Sequence, residues 1–67
     1  MKIFAERLKE LRIEKGLSIK TLADEIKISS SSICRWENNQ ADVNGTALVT
    51  LCKYFGVSSD YLLGLED

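Results

Sequence analysis

Apolar positions along this chain recur at helical rather than alternating spacing. Phe4, Leu8 and Leu11 stand at i, i+4 and i+7, which predicts an amphipathic helix over residues 3–15 with its charges on the far side. Glu6 and Glu10 have basic neighbours one turn away, and Gly16 supplies a C-terminal stop. Ser18 is a natural N-cap for a second helix over 19–26, with Leu22, Ala23 and Ile26 turned inward. A break follows near Lys27, and Ser29 caps a third helix over 30–38. Asn44 caps a fourth over 45–55, with Leu48, Leu51, Cys52 and Phe55 inward and Gly56 at its end. Ser58 opens a short fifth helix that stops near Gly64. β-Branched residues occur, but in no long alternating run, so the expected fold class is all-α.

Two helices of about eight residues joined by a three-to-four-residue turn, at about residues 19–38, have the spacing of a helix-turn-helix. In that unit the first helix braces the second, and the second offers its outer face to a DNA major groove. With about 100° per residue, Ile33 and Trp36 fall together on the core side of the third helix. Ser31, Cys34 and Arg35 then form the outward face, with Ser30 at its leading end. Small side chains permit close approach, helix N-termini favour phosphate, and an arginine can bond guanine O6 and N7 together. The serines discriminate weakly, and Cys34 suits a thymine methyl. On this helix alone, the serines read more readily as a solvated helix start.

Composition narrows the function classes. Sixty-seven residues are expected to make one domain, 1–67, with a marginal core that favours oligomerisation and no room for an effector domain. A hydrophobic content of 45% argues against disorder. Nine basic and ten acidic residues give a net charge of −1, which argues against a strong, non-specific polyanion binder but allows segregated charge. The N-terminal stretch is too charged for a signal peptide, and no apolar run approaches transmembrane length. No membrane partner and no small-molecule effector are expected, and the expected location is cytoplasmic. Cys34 and Cys52, without any histidine, make neither a zinc set nor a CxxC pair, so no metal and no cofactor are expected and both thiols are read as free. There is no nucleophile–base constellation and no Gly-rich phosphate loop. Asp24 and Glu25 are adjacent and diverge on a helix, so the chain does not read as an enzyme.

The stretches "RLKELRIEKGLS", "TLADEI", "IS", "ICRWEN" and "LVTLCKYFGVSSDYLLG" occur in an order and spacing that resembles the phage-repressor/Cro-like helix-turn-helix family, also called the Xre family, across residues 4–64. The resemblance implies a compact five-helix, lambda-repressor-like domain that binds double-stranded DNA, usually as a homodimer on a pseudo-palindrome, in a bacterial or phage-type, nucleoid-associated setting. It places Ser30, Ser31 and Arg35 where the family reads bases, with Cys34 beside them on the same face. It places Ser18 and Asn38 where phosphate is bonded, and Asn39 and Gln40, next in the same loop, are expected to contact phosphate with them. Lys20 and Lys27, and Arg12 after them, are the remaining cations near such a surface. Arg12 and Glu37 match a family ion pair that ties the first helix to the end of the third.

Four positions depart from the family pattern. Ile19 replaces a phosphate-clamping Gln, and Lys27 replaces a turn Gly, at a cost of about a kcal/mol or more if its backbone is left-handed. The loop "NQADV" lacks the usual basic residues. Gly45 replaces a leucine, which predicts a packing defect. The expected function is therefore a sequence-specific transcriptional regulator, acting as a repressor by occupancy. The alternative is a protein-interaction module with a protein partner, which keeps the fold and has lost DNA affinity; Ile13, Ile19, Val49 and Tyr54 are its expected outward apolar groups. Cys34 reads as an inert small residue or as a redox-sensitive one, and Trp36 as core.

Overall fold

The computed structural model describes residues 1–66. Five helices follow in order: α1 (Lys2–Glu14), α2 (Ile19–Ile26), α3 (Ser30–Glu37), α4 (Gly45–Phe55) and α5 (Ser59–Leu63). No strand occurs among the described residues. Each of the four later helices starts where a short polar side chain accepts an otherwise orphaned N–H. Ser18 accepts from the Thr21 N–H at 3.0 Å, Ser29 from Ser32 at 3.2 Å, Asn44 from Ala47 at 2.8 Å and Ser58 from Tyr61 at 3.0 Å. α1 begins without a side-chain cap.

α3 lies at the centre, packed between α1 and α2, while α5 closes over α1 and α4. Phe4, Leu8, Leu22, Ile33, Leu51 and Leu62 are fully buried, and Trp36 is buried beside them. Leu11, Ile26, Leu48, Cys52 and Phe55 complete this core from half-buried positions. The apolar stripes of the separate helices thus converge on one core, and Ile33 and Trp36 fix which face of α3 remains free.

Three details differ from the sequence expectation. Gly45 leaves no packing defect, because a Cβ built there meets nothing within 4 Å and the residue is exposed. Ile19 and Tyr54 are only partly outward; both are half-buried and pack in part against the core. Ile13 and Val49 are exposed, at 58% and 53%.

A contact far apart in sequence holds the last helix. The Arg7 guanidinium donates to the Tyr61 carbonyl and, at 2.8 Å, to the Glu66 carbonyl, and its carbon lies 4.4 Å from the Tyr61 ring centroid. One side chain therefore satisfies one carbonyl within α5 and one beyond it, and packs on the Tyr61 ring.

Candidate nucleic-acid interface

The α2–α3 unit is set by its caps and by its joint. Lys27 ends α2 at φ 58° and ψ 42°, left-handed, while its N–H and that of Ile28 both bond back to the Ala23 carbonyl. This is a glycine-type helix ending made by a lysine, so the backbone reversal is kept at the expense of strain.

Ser30, Ser31, Cys34 and Arg35 are all exposed, on the side of α3 opposite Ile33 and Trp36. The structure brings these four together with Ile19 and Lys20 around one shallow groove between the start of α2 and α3. The two helix N-termini flanking this groove carry N–H groups without intrahelical acceptors, an arrangement suited to anions.

Of the other sequence-derived site residues, only Lys20 lines this groove; Lys27 borders a separate hollow with Trp36, Asn44 and Thr46. Ser18 is exposed, but its hydroxyl accepts from the Thr21 N–H and donates to Thr21 Oγ1 at 2.9 Å. Lys20 and Lys27 are exposed, and neither forms an ion pair among the described residues. Asn38 turns back onto α3, its amide nitrogen 2.9 Å from the Cys34 carbonyl and 3.3 Å from Cys34 Sγ. Asn39 is left-handed at φ 57° and its Oδ1 accepts from the Met1 amino group at 2.7 Å. Gln40 is exposed, its N–H bonded to the Arg35 carbonyl at 2.8 Å.

Arg12 does not belong to the free basic surface. Its Nε lies 2.7 Å from Glu37 Oε2 and its Nη2 3.0 Å from Oε1, while Nη1 donates to the Leu17 carbonyl at 2.8 Å. The side chains are only 13% and 4% exposed. Hydrogen bonding to Glu37 raises the Arg12 pKa further, against the opposing effect of burial, so the pair is a fixed charge-assisted clamp. It joins α1 to the last residue of α3.

Sequence reasoning treated Ile19 as a departure from a pattern and as an outward apolar group, not as part of a groove with α3. Its place in the groove wall was missed because a helix wheel of α3 says nothing of what α2 contributes. No group of His, Cys, Asp and Glu able to hold a metal occurs among the described residues, and no described helix is long and apolar enough to cross a membrane.

Comparison with known proteins places this geometry. A helix-turn-helix domain family matches residues 5–67. The chain is 34% identical over 64 residues to the HTH-type transcriptional activator BcrR of Enterococcus faecalis, covering 96% of this chain and 31% of that protein. It is 32% identical over 62 residues to the HTH-type transcriptional regulator ImmR of Bacillus subtilis, covering 92% of this chain and 49% of that one. The chain thus spans about half or less of the length of these curated relatives. Among solved structures, the restriction-modification controller protein C.AhdI from Aeromonas hydrophila superposes with a TM-score of 0.81 at 31% identity, covering 91% of this chain and 92% of that chain.

Proposed function

This chain belongs to the helix-turn-helix domain family, and from that premise we propose that it is a sequence-specific DNA-binding regulator of transcription, acting as a homodimer that represses by occupying a pseudo-palindromic operator. The observation that carries this reading is the free face of α3. Ser30, Ser31, Cys34 and Arg35 stand exposed on a helix whose other side is locked into the core and whose end is clamped by Arg12 and Glu37.

The chemistry divides between positioning and reading. Lys20 and Lys27, with the N–H groups at the start of α2, hold the phosphate backbone. Asn38, Asn39 and Gln40 join them from the loop after α3, Asn38 by turning its amide away from Cys34. Ser18 supports this indirectly, since its hydroxyl is committed to the cap. Arg35 bonds a guanine in the major groove, and the small serines let the backbone of α3 come close. Two such helices in a dimer engage grooves about 34 Å apart.

The test is selection of bound duplexes from a random library at about 50 mM salt, where phosphate contacts are strongest. The reading expects a palindromic motif with one guanine per half-site. A second reading, an interaction module without DNA affinity, draws on the net charge of −1 and on exposed Ile13 and Val49. Failure of a folded protein to enrich any duplex contradicts the regulator and supports the module.

A further inference from the structure

We propose that Ile19 and Cys34 form a two-helix notch that takes the 5-methyl group of a thymine, which makes Ile19 a specificity-determining residue supplied by the bracing helix. The inference rests on the DNA reading above and names a feature of the sequence it recognises.

The groove is lined by Ile19, Lys20, Ser30, Ser31, Cys34 and Arg35. Ile19 is the first residue of α2 and is half-buried, so part of it packs on the core and part forms the groove wall. Cys34 is exposed on the facing helix, and the Asn38 amide lies against its sulfur at 3.3 Å. Between them the wall is apolar and polarizable, and Ser30 and Ser31 are too short to fill the space. Ile19 offers no side-chain donor or acceptor, so what it can recognise is shape and apolar surface.

Charge identifies the occupant. The two ionised residues of the lining, Lys20 and Arg35, are both cationic, and no acidic side chain belongs to it. A shallow, mainly apolar groove edged by cations between two helix N-termini matches an apolar group carried on a polyanion. In a DNA major groove the thymine methyl is the apolar group that a base pair presents, on the same edge that Arg35 reads at a guanine. Two adjacent recognitions of opposite polarity then follow from consecutive residues of α3: a methyl at Cys34 with Ile19 of α2, a guanine at Arg35.

The measurement uses the duplex enriched by the selection above. Each thymine is replaced in turn by deoxyuridine, which removes the 5-methyl and nothing else. Burying one such group corresponds to about a fourfold change in Kd. The protein is expected to lose about that factor at one thymine per half-site, and Ile19→Ala is expected to bind the two versions of that site equally. Because Ile19 also touches the core, Cys34→Ser is measured beside it; this exposed substitution leaves the fold intact and shrinks the same preference. Equal binding of thymine and deoxyuridine at every position overturns the notch while the DNA reading stands. So does a thymine preference that survives undiminished in both variants. If no duplex is enriched, the DNA reading itself fails and the notch falls with it.

Discussion

Lys27 is the residue where the joint of the α2–α3 unit is most exposed to chemistry. At φ 58° its Cβ crowds the following carbonyl, a strain of about 1 kcal/mol or more that glycine escapes. Lys27→Gly also widens the freedom of the unfolded chain, which offsets part of that gain. The net expectation is a rise of about 0.5 kcal/mol in stability, read as a higher urea midpoint at unchanged slope, with weaker DNA binding at low salt because a cation is lost. An unchanged or lower midpoint contradicts the strain. The two thiols differ in the same residue-level way. Cys34 is exposed, whereas burial pushes the half-buried Cys52 thiol up from its ordinary pKa. A raised pKa favours the neutral thiol in the fold, so this contribution is intact below the unfolded thiol's pKa and is lost as pH rises through the folded value. At about pH 8 one thiol per chain should react quickly with an alkylating reagent and the other slowly. Two fast thiols are the contrary result. The left-handed Lys27 was legible because the resemblance put it where a glycine is usual. Asn39, left-handed at φ 57°, carried no comparable signal, since asparagine is common in loops of every kind.

Helix starts were legible for a direct reason: a Ser or Asn ahead of an apolar repeat is itself the hydrogen-bonding partner that begins the helix. Ser18, Ser29, Asn44 and Ser58 all act so, and the helix limits lie within a residue of expectation. What was not legible is what one helix presents to another. Arg7 reaches Tyr61, 54 residues away, and nothing local in the sequence marks that meeting. Ile19 and Tyr54 turned out half-buried for the same reason, since their cover comes from other elements. Gly45 faces open space, so a missing leucine there costs no packing. The Arg12–Glu37 clamp is where two elements depend on each other most. Truncating one partner leaves the other charge buried, and Arg12→Ala is expected to cost about 3 kcal/mol in chemical denaturation. Adding Glu37→Ala should cost much less than the sum of the single changes. Additive losses indicate two independent charges instead.

At the scale of the whole molecule, a net charge of −1 and a pI near 5.3 sit beside the exposed Lys20, Lys27 and Arg35, the cations of the proposed DNA contact. With Arg12 tied to Glu37, three cations per protomer remain for phosphate or base contact. At about −0.9 per neutralised phosphate, a dimer should show a log–log salt slope no steeper than about −5. Specificity then depends on fit and on DNA shape more than on bulk attraction. The five-helix fold was legible as a whole because periodicity, caps and stops all pointed one way. The exposed face of α3 was legible, because one helix wheel suffices, and the groove that α2 helps to build was not. The most direct measurement of the central claim is duplex selection run in parallel on the protein and on Arg35→Ala. The account predicts a palindromic motif for the first, and for the second the same motif with its guanine preference gone, a loss of about 1–3 kcal/mol at that base pair alone. An unchanged motif in the variant contradicts the placement of α3 in the major groove with Arg35 as its reader.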